Sequence, residues 1–440
     1  MTLKTQIKGA LPPPLLETAR KARKKAKHLR KLPAKHMRAR RAPLLHDRLV
    51  KEHRGKRPIR VMFLISNTAS WKVGPVFSEM LSDPEFDPVA VVCPVVSGTL
   101  SHDAQKAADL AVQLLNDNDF PFIDMTTMER EAARRRISQF DPHVVFFTNP
   151  HGLAPRHLHD ELLSTRLTCY VPYNHEVMTY GGNQQQYNSV THNSFWRIFV
   201  PHKESKDYYK TTRIRSDAGV LTTGFPACEP LLAQDCHSGQ SPWKKQAKPK
   251  KRVIYAPHWL WNDNIKMATI DTFGEPMMRL AERYRDDIQW AFRPHPMLWP
   301  KLMKDDSWGQ ERTKAFFSFW RDSEFCQIHD EDYVPLFRTS DAIIHDSGSF
   351  LAEYLYLKKP AMYLMTEQTG AKYFNPFGRR AVAACTVGRS TDDIERFLVN
   401  VLKGAETNDT VEMFFEQDIE PLFRRLPSVQ ICEEIKKSLS

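Results

Sequence analysis

Residues 340–360 read SDAIIHDSGSFLAEYLYLKKP, a strand, a turn and a helix in immediate succession. Ala342 to Ile344 are apolar and partly β-branched, the turn is Asp346-Ser347-Gly348-Ser349, and a helix is expected over 349–357. A helix that starts straight after a strand aims its unpaired N–H groups at the crevice beyond the strand's carboxyl end, where α/β sheets bind anions. Gly348 lets a ligand approach the backbone, while Ser347 and Ser349 offer hydroxyls and N–H groups. Glu353 lies one helical turn past Ser349, placed to accept hydrogen bonds from ribose hydroxyls.

Outward from this stretch the same alternation fills the chain. Strands are expected at 59–66, 88–94, 143–149, 167–173, 196–201 and 219–224, with helices between them at 103–116 and 126–139. A second series has strands at 252–257, 288–294, 342–345, 361–365 and 381–387, with helices near 273–285, 311–322 and 390–404. The strands are continuous apolar runs, which marks parallel sheets covered on both faces. The fold class is therefore α/β, two doubly wound Rossmann-like domains facing a cleft. Residues 226–251, rich in proline, glycine and lysine, divide them as a linker, so the expected domains are 58–225 and 252–440.

The net charge of +11 belongs to one end of the chain. Residues 1–60 hold twenty basic and three acidic residues, a local charge of +17, which leaves −6 for the remaining 380. Residues 1–57 are expected as a basic arm, helical or disordered, that holds the protein at an anionic membrane surface. Nucleic acid is the less favoured partner of such an arm. The N-terminus has no apolar segment of export-signal type and no run long enough to span a membrane, so the expected location is the cytoplasm, peripheral at a membrane surface through the basic arm. Seven scattered cysteines without a C-x-x-C pair argue against a disulfide framework or a zinc site. P-loop, G-x-G-x-x-G, H-E-x-x-H and G-x-S-x-G motifs are absent.

Three strand ends in the second half carry polar residues and belong on one rim: APHWLWND with His258, FRPHP with Arg293 and His295, and the 346–349 turn. Arg293 offers a bidentate grip on phosphate, and His295, fixed between two prolines, can donate to a charged leaving group. In the first half, YVPYNHEV places His175 at a strand end, where it would face the cleft as a general base; His151 in NPHG is the competing candidate.

Taken in order, these segments resemble the CDP-glycerol glycerophosphotransferase family, the teichoic-acid type glycerol and ribitol phosphate transferases. SFWRIFVPHKESKDYYKTT, LTTGFPACEPLL, VIYAPHW, FRPHP and TSDAIIHDSGSFLAEYLYLKKPAMYL follow its pattern over roughly 195–365. The chain departs from it twice. The family's Trp-His-Gly-Thr corresponds to Tyr173-Asn174-His175-Glu176, and its Asp-Tyr-Ser-Ser to Asp346-Ser347-Gly348-Ser349, which is closer to the Asp-Ser-Gly-Gly of UDP-GlcNAc 2-epimerases. The resemblance implies a GT-B fold and transfer of glycerol phosphate from a CDP-activated donor to a polysaccharide or lipid-linked acceptor, with release of CMP. His175 and His295 are then catalytic, and Arg293, His258, Asp346, Ser347, Gly348, Ser349 and Glu353 bind the donor. No metal or cofactor is expected, since the nucleotide donor is itself the substrate. The alternatives are a UDP-sugar glycosyltransferase or epimerase on the same fold, and a non-catalytic scaffold for polysaccharide assembly at the membrane.

Overall fold

The computed structural model describes residues 13–95, 104–151, 154–179, 181–233, 241–259, 267–367, 373–404 and 409–440, with the backbone alone over 13–31. The first sheet contains β1 (Ile59–Ile65), β2 (Phe86–Val92), β3 (Phe122–Asp124), β4 (Val144–Phe147), β5 (Leu167–Tyr170), β6 (Arg197–Val200) and β7 (Val220–Thr222). Their spatial order is β3-β2-β1-β4-β5-β6-β7, all parallel. The second sheet contains β8 (Lys251–Ala256), β9 (Ile288–Phe292), β10 (Cys326–Ile328), β11 (Ala342–His345), β12 (Ala361–Leu364) and β13 (Thr386–Gly388). Its order is β10-β9-β8-β11-β12-β13, again parallel.

Continuous apolar runs make central strands that bury both faces, and β4, β9 and β11 are buried throughout. Phe147 and Phe195 pack on one side of the first sheet, Trp290 and Trp320 on one side of the second. A third core continues from the first sheet across the seam between the domains and includes Phe63, Val177, Phe225, Leu351, Tyr356 and Phe377. In both sheets the strand order reverses beside the first strand, between β1 and β4 and between β8 and β11, which places a ligand crevice at each of those tips.

Four sequence expectations change. The run 381–387, expected as a strand, is the end of helix Pro376–Ala384 followed by β13. Asn375 caps that helix by accepting the Gly378 N–H, and Pro376 sits at its first position, so these start signals outweigh an apolar run of ambiguous period. The C-terminal helix Pro427–Ser438, assigned to the second domain, packs on the first: Lys436 bonds Asp83 at 2.7 Å, and Arg197 bonds Glu434 at 2.8 Å. The basic arm is shorter than 1–57. Residues 13–53 form one helix, of which Ala39, Ala42, His46, Leu49 and His53 are buried against the first domain. Part of the 226–251 connection is likewise docked, with the buried Trp243 donating its Nε1–H to Thr339.

Candidate active site

The tips of β8, β9 and β11 lie side by side, and backbone bonds hold them as one rim. Arg293 N–H donates to Tyr255 O at 2.8 Å, and His295 N–H donates to Pro257 O at 3.0 Å. Asp346, fully buried after β11, ties the remaining strand in: Oδ1 accepts the His258 N–H at 2.5 Å, and Oδ2 accepts the Thr269 N–H and hydroxyl at 2.6 and 2.8 Å. Burial pushes its carboxyl up to about 6 against the pull of those donors. Both oxygens accept bonds within the protein, so Asp346 ties the strand ends of the rim together.

On this rim the His258 and His295 rings meet at 4.9 Å. Nδ1 of His295 accepts the Met297 N–H at 3.1 Å, which leaves Nε2 as the protonated nitrogen of the neutral ring. Burial lowers its pKa to about 4. The ring is thus a neutral donor at physiological pH. Arg293 donates through Nη1 to Nδ1 of His329 at 2.7 Å, and its guanidinium lies 5.7 Å from the Tyr333 ring and 6.0 Å from the Phe350 ring. Among the described residues no carboxylate forms an ion pair with it. A largely buried guanidinium held by an imidazole and two aromatic faces retains its charge for a ligand anion.

The turn after β11 gives less than a full helix dipole, because its α-helix is only Gly348–Glu353 before a 3₁₀ turn over Tyr354–Leu357. The Ser347 hydroxyl caps it by accepting the Phe350 N–H at 3.4 Å. Gly348 is covered from the first domain: a Cβ there would stand 3.0 Å from Sδ of Met178. Ser349 remains half-exposed at the turn. Glu353 is fully buried, neither carboxylate oxygen makes a close hydrogen bond, and the Tyr333 hydroxyl is its polar neighbour within the same domain. Lys72 Nζ, from the loop after β1, lies 3.9 Å from Oε1.

His175 does not face an open cleft, which corrects its expected setting. Nε2 meets the Tyr356 hydroxyl at 2.9 Å, and the ring is stacked on Phe377 at 5.2 Å. The seam closes here because the chain 177–179 docks on the second domain. Asn375 N–H donates to Val177 O at 3.0 Å, Thr179 N–H to Tyr373 O at 2.7 Å, and Asn375 Nδ2 to Glu176 O at 2.5 Å. Burial, then the neighbouring His202, drives the His175 pKa well below its ordinary value, so the imidazole is neutral. His151, after β4, is exposed and lies 3.3 Å from the Tyr173 hydroxyl.

The rim therefore unites Arg293, His295, His258, Ser347, Gly348 and Ser349, with Glu353 one turn behind, while His175 sits in the seam and His151 on the first domain's rim. Lys72, Tyr333 and Met178 were missed by sequence reasoning. Lys72 was reachable: it follows the tip of β1, the strand that flanks the first sheet's own crevice. Tyr333 and Met178 carried no signal, since Met178 acts through the docking of one domain on the other and Tyr333 through long-range packing on Arg293 and across the seam on Lys72. Among the described residues no group of three or more His, Cys, Asp or Glu side chains could hold a metal ion, and no helix is long and apolar enough to cross a membrane.

Comparison with known proteins places this geometry. The model of the family "CDP-Glycerol:Poly(glycerophosphate) glycerophosphotransferase" matches residues 172–373, which span the end of the first domain and the whole rim. No curated protein sequence matches the chain. Among solved structures, a UDP-N-acetylglucosamine 2-epimerase superposes with a TM-score of 0.58 at 16% identity, covering 86% of this chain and 95% of its own. The S. aureus MnaA–UDP co-structure gives 0.57 at 13% identity, with coverages of 86% and 96%. A variant of the wall teichoic acid polymerase TagF gives 0.56 at 13% identity, covering 96% of this chain and 99% of its own, and the same variant soaked with CDPG gives 0.55. At these identities the likenesses establish the GT-B-type fold. Joined to the family match over residues 172–373, a little under half of the chain, they make it similar to the CDP-glycerol glycerophosphotransferases and support a polyol-phosphate transferase in general class.

Proposed function

We propose that the enzyme transfers glycerol phosphate from CDP-glycerol to a hydroxyl of a cell-surface polysaccharide or lipid-linked acceptor and releases CMP. The observation that carries this reading is the rim itself. Arg293, a guanidinium with no carboxylate ion pair among the described residues, and the Nε2–H of His295 are held by backbone bonds at the crevice between β8 and β11. The acceptor oxygen attacks the glycerol-bearing phosphorus, the bond from that phosphorus to the oxygen bridging to CMP breaks, and the acceptor proton passes to a base. Arg293 and His295 hold the charge that gathers on the departing phosphate, with no metal or cofactor assigned. Glu353 takes the ribose hydroxyls, for which its carboxylate, with no close hydrogen bond and about four lone-pair positions, has acceptor capacity beyond its Tyr333 neighbour.

His175 is the base in this reading. Placing the motif's histidine on His175, one position along from the four-by-four match, sets its glycine on Glu176, which adopts φ +51°, the left-handed conformation that glycine takes without strain. The correspondence with the motif's histidine rests on that backbone. Acceptor access to His175 then requires the 177–179 segment to lift from the second domain. The basic segment ahead of residue 32 keeps the enzyme at the anionic inner face of a bacterial plasma membrane.

The experiment is a donor screen on the full chain. Thermal shift and nucleotide release are measured with CDP-glycerol, CDP-ribitol and UDP-sugars. Stabilisation and CMP release with CDP-glycerol are expected. Turnover of UDP-N-acetylglucosamine alone would replace this reading with the epimerase-like one that the Asp346-Ser347-Gly348-Ser349 turn favours.

A further inference from the structure

We propose that Lys72 is a positioning residue of the donor site, delivered by the first domain to fix the Glu353 carboxylate, so that the site is complete only when the two domains are closed. The inference rests on the reading of Glu353 as the acceptor of donor hydroxyls.

The backbone of Lys72 is anchored on its own domain. Trp71 packs against Phe63 and Phe77 with ring centroids at 6.1 and 5.8 Å, and Val73 is fully buried. Its side chain crosses the seam, 12% exposed, to lie 3.9 Å from Glu353 Oε1, 3.3 Å from the Tyr333 hydroxyl and 4.8 Å from the centre of the Tyr333 ring. The Tyr333 ring therefore carries a cation from each domain, Lys72 and Arg293. Lys72 is the ion-pair partner of Glu353 among the described residues, and a fully buried carboxylate without it would be an uncompensated charge. At 3.9 Å the contact is one of charges rather than a hydrogen bond, so it neutralises the carboxylate without occupying its lone pairs, which beyond the neighbouring Tyr333 hydroxyl remain for neutral donors. A vicinal diol offers two such donors.

The test compares Lys72→Met, Lys72→Arg, Glu353→Gln and the double variant Lys72→Met/Glu353→Gln by donor KM, kcat and melting temperature. Lys72→Met is expected to raise the KM for CDP-glycerol by at least about tenfold, the size of one charge-assisted contact, with kcat changed much less. Lys72→Arg should restore most of the affinity. In the double variant the melting temperature should recover, because the orphaned charge is gone, while the KM stays high. A KM that recovers together with the melting temperature, or that never rises, overturns the proposal and leaves an ordinary ion pair. If wild-type protein neither releases CMP nor is stabilised by CDP-glycerol, the donor-site reading fails by itself. The pairing is then judged by the melting temperatures alone, where additive losses from the two single variants overturn it.

Discussion

Nδ1 of His295 accepts the backbone N–H of Met297, and that bond determines which ring nitrogen faces the crevice with a proton. A neutral imidazole whose Nε2–H donates is a hydrogen-bonding group and does not need to titrate. His295→Asn, which cannot reach the same point, is expected to lower kcat/KM by at least about a hundredfold. His295→Gln, whose amide N–H₂ can approach the Nε2 position, should recover about a tenth or more of the wild-type rate, since a hydrogen bond rather than a proton transfer is being replaced. Equal loss in both variants would show that His295 moves a proton.

The two candidate bases separate on kinetics. His175 and His151 both end strands of the first sheet, but one is buried beside Tyr356 and the other is exposed beside Tyr173. His175→Ala is expected to lower kcat by about a hundredfold to ten-thousandfold with folding retained by circular dichroism, and His151→Ala by less than about tenfold. The reverse order assigns the base to His151 and makes His175 a packing residue of the seam.

Stability should fall steeply in mild acid. Burial lowers His46 and His345 to about 3 and His143, His295 and His329 to about 4, from an ordinary 6.5. Each folded-state value lies below the unfolded one, so the unfolded chain binds more protons between about pH 6.5 and 4, and stability is lost as pH drops through that window. Three buried carboxyls act oppositely: Glu176 is pushed up to about 8, Glu229 to about 7 and Asp346 to about 6, so each loses stability as pH rises. The histidines outnumber them below pH 6.5, and only Glu176 and Glu229 act above it. The melting temperature is expected to peak near pH 6.5, to drop sharply toward pH 4 and to decline gently toward pH 8. A flat profile from pH 6.5 to 4.5 would mean that these imidazoles are solvated in the folded protein.

Much of this was legible because continuous apolar runs and short polar strand ends are local signals. The rim at β8, β9 and β11 follows from FRPHP and the 346–349 turn once the order of alternation is read. The three-residue strands β3 and β10 escaped, since Phe122–Asp124 and Cys326–Ile328 are strands only because β2 and β9 supply their hydrogen bonds. The seam escaped for a stronger reason. That Met178 lies over Gly348, or that Lys72 reaches Glu353, depends on how one domain docks on the other, and no periodicity within either domain records that.

The same seam yields the last prediction. Gly378, near the start of helix Pro376–Ala384, has no room for a side chain: a Cβ would stand 2.2 Å from the carbonyl oxygen of Val177, a backbone atom that cannot swing aside. That carbonyl also accepts the Asn375 N–H, and the Asn375 side chain holds both Glu176 O and the Gly378 N–H. Gly378→Ala therefore cannot be relieved locally. The 177–179 segment must lift from the second domain, breaking these bonds and drawing Met178 away from Gly348. A cost of about 3 kcal/mol is expected from overpacking and lost hydrogen bonds, lowering the melting temperature by several degrees. Because the helix itself gains from replacing glycine by alanine, its secondary structure should persist. Small-angle scattering should then report a larger radius of gyration without loss of helical circular dichroism. A melting temperature within about one degree of wild type would mean that the two domains are not held together along this segment.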